Sequence, residues 1–246
     1  MKKRIIYIFM MVMTVAMFTS CSNSDDDKKS DDNSAIAGTW NAAPIVTNGD
    51  YFVSGPVLFD WQAAAGTALG KSLGTDNEIT VAQAAYLGQS MGSSYLTNLL
   101  KSVTFNSDGS ISAVYSDFGA SVNWKDSGTG YVTFKAVSGA NKILVYLNIE
   151  KISAASPKFA AFVTAYPAVK AIITGGIPLN YAITSTGLTL YFDQDFINQM
   201  TTFLPMVEAL MPTEDATMTA VKAYLQDIPT ALQATTSIKI GLNFVK

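Results

Sequence analysis

The chain closes with Ser237–Lys246, "SIKIGLNFVK", and the reading of this segment decides the fold. Ile238, Ile240, Leu242 and Phe244 alternate with Lys239, Gly241 and Asn243. Apolar side chains at every second position share one face of a β-strand, because successive side chains of an extended backbone point to opposite sides. A strand at the end of a chain leaves a row of unpaired N–H and C=O groups, which invites aggregation unless something covers it. The folded region opens with "IAGTW" at Ile36–Trp40. If the two end strands pair, no edge remains. The C-terminal strand is therefore expected beside the strand that contains Trp40, with Gly241 at a bend or a close approach.

The same alternation recurs upstream. It marks "SVTF" (Val103, Phe105), "ISAVY" (Ile111, Ala113, Tyr115) and "YVTFKAV" (Val132, Phe134, Ala136). Turn residues separate these runs: "NSDGS" around Asp108–Gly109, "DSGTG" around Gly128 and "SGAN" around Gly139, so Val103 to Glu150 reads as an antiparallel meander. A further hairpin is expected in "LNYAITSTGLTLYF", turning at Gly187. Between the strands the period lengthens. Ser156 reads as an N-cap and Pro157 as the first helical residue, with Phe159, Phe162, Val163, Tyr166, Val169 and Ile173 on one stripe. Pro167 should kink or split that helix. Phe196, Met200, Phe203, Val207 and Leu210 form a second stripe, and Met218, Val221, Leu225 and Ile228 a third. Each stripe covers one face, as in helices laid over a core. In the less regular region 60–100, Gly66, Gly70 and Gly74 fall four apart, as do Gly88 and Gly92. That spacing predicts helices packed closely through small residues. The expected fold is mainly β with α insertions (α+β): an antiparallel β-barrel with helices packed against it.

The Gly-x-Trp of "IAGTW" resembles the opening of lipocalin-like barrels. With the helical insertion, the meander beginning "VTFNSDGSI", the "LTLYFD" strand leading into helices and the last strand "IKIGLNFVK", the chain resembles a family of lipocalin-like lipoproteins of the Bacteroidetes. The resemblance runs over most of residues 36–246 and implies a small lipocalin-like barrel. It supplies no catalytic residues.

The N-terminus carries an address. Lys2, Lys3 and Arg4 precede "IIYIFMMVMTVAMF" (Ile5–Phe18), an uncharged apolar run of 14 residues. A bilayer-spanning helix takes about 20 residues, so residues 1–20 read as a secretory signal. Thr19 and Ser20 lead into Cys21, the only cysteine of the 246 residues. This resembles the lipobox of bacterial lipoproteins, in which the cysteine becomes the first residue and carries lipid. "SNSDDDKKSDDNS" after it has no apolar side chain to bury and forms an acidic tether over residues 21–34, spanning about 20 Å as a flexible chain. Within it Ser24, Asp25, Asp26 and Asp27 resemble the surface-export signal of Bacteroidetes lipoproteins. The implied place is the outer membrane, lipid-anchored and facing the cell exterior, and residues 35–246 form a single domain. Loss of Lys2, Lys3 and Arg4 with the signal shifts the net charge from −3 to −6, so the basic footprint of a nucleic-acid binder is missing.

Little catalytic chemistry is on offer. The chain has no histidine, which removes His-based triads and the usual zinc ligand sets. Cys21 carries lipid rather than a reactive thiol, and no cofactor beyond that covalent lipid is expected. No glycine pattern has the strand–loop–helix setting of a phosphate or dinucleotide site. Asp193 and Asp195 are the closest carboxylates in a plausible setting, but Asp193 reads as a helix cap and Asp195 as a first-turn acid. "NSDGS" lacks the first and last ligands of a calcium loop, where Thr104 and Tyr115 stand, and reads as a turn. Among the aromatics, Trp124 and Phe118 of "SDFGASVNWKDSG" are the candidates for ligand contact at a rim, the others for core filling. The expectation is a non-enzymatic binding module for a hydrophobic small molecule or glycan. The alternatives are a structural or interaction subunit of an outer-membrane complex and, more remotely, a hydrolase using carboxylates alone. A hollow interior would favour the first, and a filled barrel with an exposed apolar patch the second.

Overall fold

The computed structural model describes residues 33–74, 77–117, 121–210 and 216–246. A short 3-10 turn, Asn33–Ala35, leads into β1 (Gly38–Ala42), the hairpin β2 (Val46–Asn48) and β3 (Tyr51–Ser54), then β4 (Val57–Ala63). A second small ladder, β5 (Ala68–Leu69) with β6 (Ile79–Thr80), precedes helix α1 (Val81–Leu96). The meander follows as β7 (Leu100–Phe105), β8 (Ser110–Ser116), β9 (Trp124–Asp126), β10 (Val132–Ala136) and β11 (Lys142–Leu147). Helices α2 (Ile149–Ala155), α3 (Pro157–Ala165) and α4 (Pro167–Gly175) come next, then β12 (Ile177–Ile183) and β13 (Gly187–Phe192). Helices α5 (Gln194–Met200), α6 (Leu204–Leu210) and α7 (Ala216–Gln233) lead to β14 (Thr235–Val245).

The sheet runs β1-β7-β8-β10-β11-β12-β13-β14, and β14 returns to β1, so eight antiparallel strands close into a barrel. The closing rung is the expected one: Asn41 opposes Val245 and Ala42 opposes Phe244. The C-terminal strand does more than this rung, however. One edge of β14 pairs with β13 from Ile240 to Val245, while the other takes β4 from Thr235 to Leu242 before it reaches β1. β1 and β4 thus lie end to end along β14, and residues 43–56 are an excursion that leaves and rejoins the sheet at one residue. That residue is Asn243. Its carbonyl accepts from the Ala43 N–H at 3.0 Å and its own N–H donates to the Pro56 carbonyl at 2.8 Å. Its side chain donates to the Gly55 carbonyl at 3.1 Å and accepts from the Thr189 hydroxyl at 3.0 Å. Gly241 marks a close approach, as expected. A Cβ there would sit 1.9 Å from the Leu190 carbonyl oxygen, inside any permitted contact.

Strand directions sort the connections. One end of the barrel is closed by tight hairpins between β7 and β8, β10 and β11, and β12 and β13, together with the 3-10 turn. Every helix lies in a connection at the other end. The "NSDGS" segment is the first hairpin turn: Gly109 takes φ +83°, and Asp108 accepts from the Ser110 N–H at 2.8 Å and its hydroxyl at 2.7 Å. Those hydrogen bonds favour the ionised carboxyl and lower the Asp108 pKa. Under the hairpin end, the Trp40 indole donates to the Ile36 carbonyl at 2.9 Å, the Lys246 ammonium lies 5.2 Å from its ring centre, and Asn33 Oδ1 accepts from the Ala136 N–H at 2.9 Å.

At the helix end the caps follow the residues. Ser156 accepts from the Phe159 N–H with Pro157 at the first position, and Pro167 splits the apolar stripe into α3 and α4. Proline lacks the N–H that would continue the helix and disfavours the helical conformation of the residue before it. Val163, Val169 and Ile173 of this pair form a small core of their own with Phe203 and Met206. Phe196, Ile197, Met200, Val207, Leu225 and Leu232 of α5–α7 belong to the barrel's own core.

The glycine spacing divides in two. Gly66, Gly70 and Gly74 are not on a helix: each sits in a connection with φ between +81° and +90°, a region glycine enters without Cβ strain. Gly88 and Gly92 do share a buried face of α1 with Ala85 and Ser93, but they meet strand β4 rather than another helix. Beyond β1 the edge of β4 has no strand partner among the described residues, and α1 covers it. The Ser93 hydroxyl, wholly buried, accepts from the Val57 N–H at 3.2 Å. Gly55 leaves room for it, since a Cβ there would lie 2.5 Å from Ser93 Oγ.

Candidate binding site inside the barrel

Residues opposed across an antiparallel ladder share a face of the sheet, so the register identifies the barrel lining. Trp40 opposes Val103, Val103 opposes Ala113, and Ile111 opposes Val132, which opposes Leu147. Val145 then opposes Ile177, Tyr181 opposes Leu190, Leu190 opposes Leu242, and Leu242 opposes Val57. Alternation along each strand supplies the rest. Apart from Gly38 and Thr235, the inward positions so fixed on the eight closing strands and on β4 are aliphatic or aromatic; Lys135, Lys142, Lys239 and Asp60 take the outward alternate positions.

Burial along this lining is uneven, and Val145, Ile177, Leu190, Phe192, Trp61 and Ile238 are each at most 9% exposed. At the hairpin end Trp40, Phe105, Phe134, Ile143, Leu188 and Phe244 are at most 3% exposed and form a packed floor, with Phe105 and Phe134 edge to face at 5.3 Å. Val103, Ala113, Val132, Leu147, Leu179 and Leu242 face the same interior yet are only half-buried, with Val103 opposite Trp40 and Leu179 opposite Ile143. Phe59 and Tyr115 near the helix end are half-buried as well.

Polar groups on this lining are few. The Trp61 indole donates to the Thr235 hydroxyl at 2.7 Å and the Trp40 indole is taken up in the floor. Tyr115 and Tyr181 add one phenol hydroxyl each. At the helix end β9 continues the edge of β8 and sets Lys125 opposite Tyr115; this ammonium pairs with Asp117, which raises its pKa.

The sequence-level candidates fall in different places. Trp124 lies on β9 opposite Ser116, exposed and on the outward face by register, so the fold does not bring it into the interior. Phe118 lies outside the described residues, as do Cys21, Ser24, Asp25, Asp26 and Asp27. Asp193 caps α5, accepting from the Phe196 N–H at 3.1 Å and from the Asn180 amide at 2.7 Å, with Asp195 exposed in the first turn. Sequence reasoning missed β4, Leu179 and Tyr181 as lining. For β4 the signal was present: Val57, Phe59, Trp61 and Ala63 alternate with Asp60 and Gln62, and only Leu58 disturbs the pattern. No protein-family model, curated protein or solved structure matches this chain. Among the described residues no helix is long and apolar enough to cross a membrane.

Proposed function

We propose that the protein is a non-enzymatic binding module that holds a hydrophobic small molecule inside the barrel. The observation that carries this reading is the set of half-buried inward residues Val103, Ala113, Val132, Leu147, Leu179 and Leu242 beside a packed cluster at the hairpin end. Side chains that face inward and keep accessible surface line unfilled space, and an apolar lining of that kind suits an apolar guest. A glycan fits less well. Its hydroxyls would lose hydrogen bonds to water against a wall that offers few in return.

The address completes the proposal: an envelope protein held at the outer membrane by lipid on Cys21, facing outward through Ser24–Asp27. Two or more acyl chains, at about 0.8 kcal/mol per buried methylene, would anchor it stably. Cys21→Ala is expected to release the protein to the soluble fraction and to abolish labelled palmitate incorporation. Retention of both would overturn the anchor.

The interaction-subunit reading is favoured by one specific observation. The β2–β3 hairpin exposes Ile45, Val46, Tyr51 and Val53, with Tyr51 at 76%, and α1 beside it exposes Tyr86, Leu87 and Met91. Phe52 and Tyr86 meet edge to face at 6.2 Å, which joins the two surfaces, and α1 contains no charged residue. An uncharged apolar patch is complementary to itself, so a second copy is its fitting partner. Native mass spectrometry of the purified protein separates the readings. A mass increment from a small organic molecule supports the binding module, and a doubled mass lost on Tyr51→Ser with Val53→Ser supports self-association. A bare monomer in lipid-extracted and untreated preparations alike would sink both.

A further inference from the structure

Among the described residues Tyr181 is the buried inward residue whose polar group the fold leaves unanswered. It stands on β12 opposite Leu190, one rung above the pair of buried Leu188 and exposed Ile183, and is 9% exposed. Among the described residues its hydroxyl makes no hydrogen bond. Yet among the described residues no sealed side-chain nitrogen or oxygen lacks a partner, so this oxygen keeps accessible surface on a side chain that faces inward by register. The two indoles on the lining are different, because Ile36 and Thr235 already take their N–H groups. A phenol among aliphatic side chains is an unfavourable tenant unless its hydroxyl finds a partner, since desolvation without a compensating hydrogen bond costs free energy.

We propose that the Tyr181 hydroxyl is the specificity group of the chamber and hydrogen-bonds a neutral oxygen, an alcohol, ketone or ester, carried at the inner end of an otherwise apolar ligand. This rests on the reading of the barrel interior as a binding chamber. Neutrality follows from the wall: among the described residues Lys125 faces inward only at the helix end, paired with Asp117, and the Lys246 ammonium at the hairpin end lies over the Trp40 ring. A carboxylate pushed to the depth of Tyr181 would be buried without a counter-charge. A ligand with a neutral oxygen loses less, and the phenol returns the hydrogen bond that water gave up.

The test uses the full chain in amphipol, with the uncharged fluorophore N-phenyl-1-naphthylamine as reporter and partition into amphipol alone subtracted. Dodecane, 1-dodecanol and dodecanoate are titrated as displacers of wild type and of Tyr181→Phe, which removes the hydroxyl and keeps the ring. The dodecanol affinity is expected to fall about tenfold in the variant, the loss of one buried hydrogen bond. Dodecane and dodecanoate are expected to change by less than about twofold. If dodecanol loses nothing, or all three lose equally, the assignment of Tyr181 is overturned while the chamber stands. An equal loss for dodecanoate and dodecanol, with dodecane unchanged, overturns the neutral-oxygen assignment. If neither the fluorophore nor any displacer binds wild type, the chamber itself is overturned, and Tyr181 with it.

Discussion

Single residues hold the seams of this barrel where the ladder is interrupted. Asn243 uses both backbone groups and both ends of its amide to join β1, β4 and β13 around the departing hairpin. Ser93 answers the edge of β4 that no described strand covers, through the Val57 N–H. Ser93→Ala leaves that buried donor unsatisfied, at a cost of about 1–3 kcal/mol, and should lower the urea midpoint without changing the m-value. A shift below about 0.5 kcal/mol would show that α1 covers the edge by packing alone. Asn243 and Ser93 were opaque in the sequence. Their roles depend on which backbone groups the fold brings to them from far along the chain, whereas Ser156 and Asp193 were legible as caps because a cap satisfies N–H groups two or three residues away.

At the scale of elements, the strands carry the periodicity and the helices carry the irregularities. Alternation in β7, β8, β10 and β14 was readable because side chains on an extended backbone alternate whatever lies beyond them. The glycine ladder at 66, 70 and 74 misled for the complementary reason: four-residue spacing fits a helical face and a set of separate turns equally well, and the positive φ of each residue decides for turns. The half-buried inward set bears on β7 and β8, where Val103 and Ala113 face each other. Ala113→Phe adds a ring at an inward position. In a filled barrel such overpacking costs about 1–3 kcal/mol. In an open one the ring occupies the vacant space, so stability should stay within about 0.5 kcal/mol of wild type while binding of the apolar fluorophore is lost. A strongly destabilised variant would count against the chamber.

For the molecule as a whole, β14 is the keystone, pairing with β13 on one side and with β4 and β1 on the other. Deleting Ile238–Lys246 removes four inward side chains, each contributing about 1.5–3 kcal/mol on burial, from a fold whose total stability is about 5–15 kcal/mol. It also opens the barrel along two ladders. The truncated chain should lose its cooperative thermal transition and aggregate. A monomer melting cooperatively near the full-length temperature would overturn the closed barrel. By itself the sequence determined the strands of the meander, the two end strands, the capped helices and the division of residues into inward and outward sets, all of which follow from local backbone geometry and side-chain period. Only the tertiary structure decided that β4 shares β14 with β1, that α1 rather than a strand covers the remaining edge, and that the buried, inward Tyr181 has no hydrogen-bond partner among the described residues. Those outcomes depend on contacts between segments separated in the chain, Val57 with Ser93 or Ile238 with Trp61, and no local pattern encodes which segment will arrive.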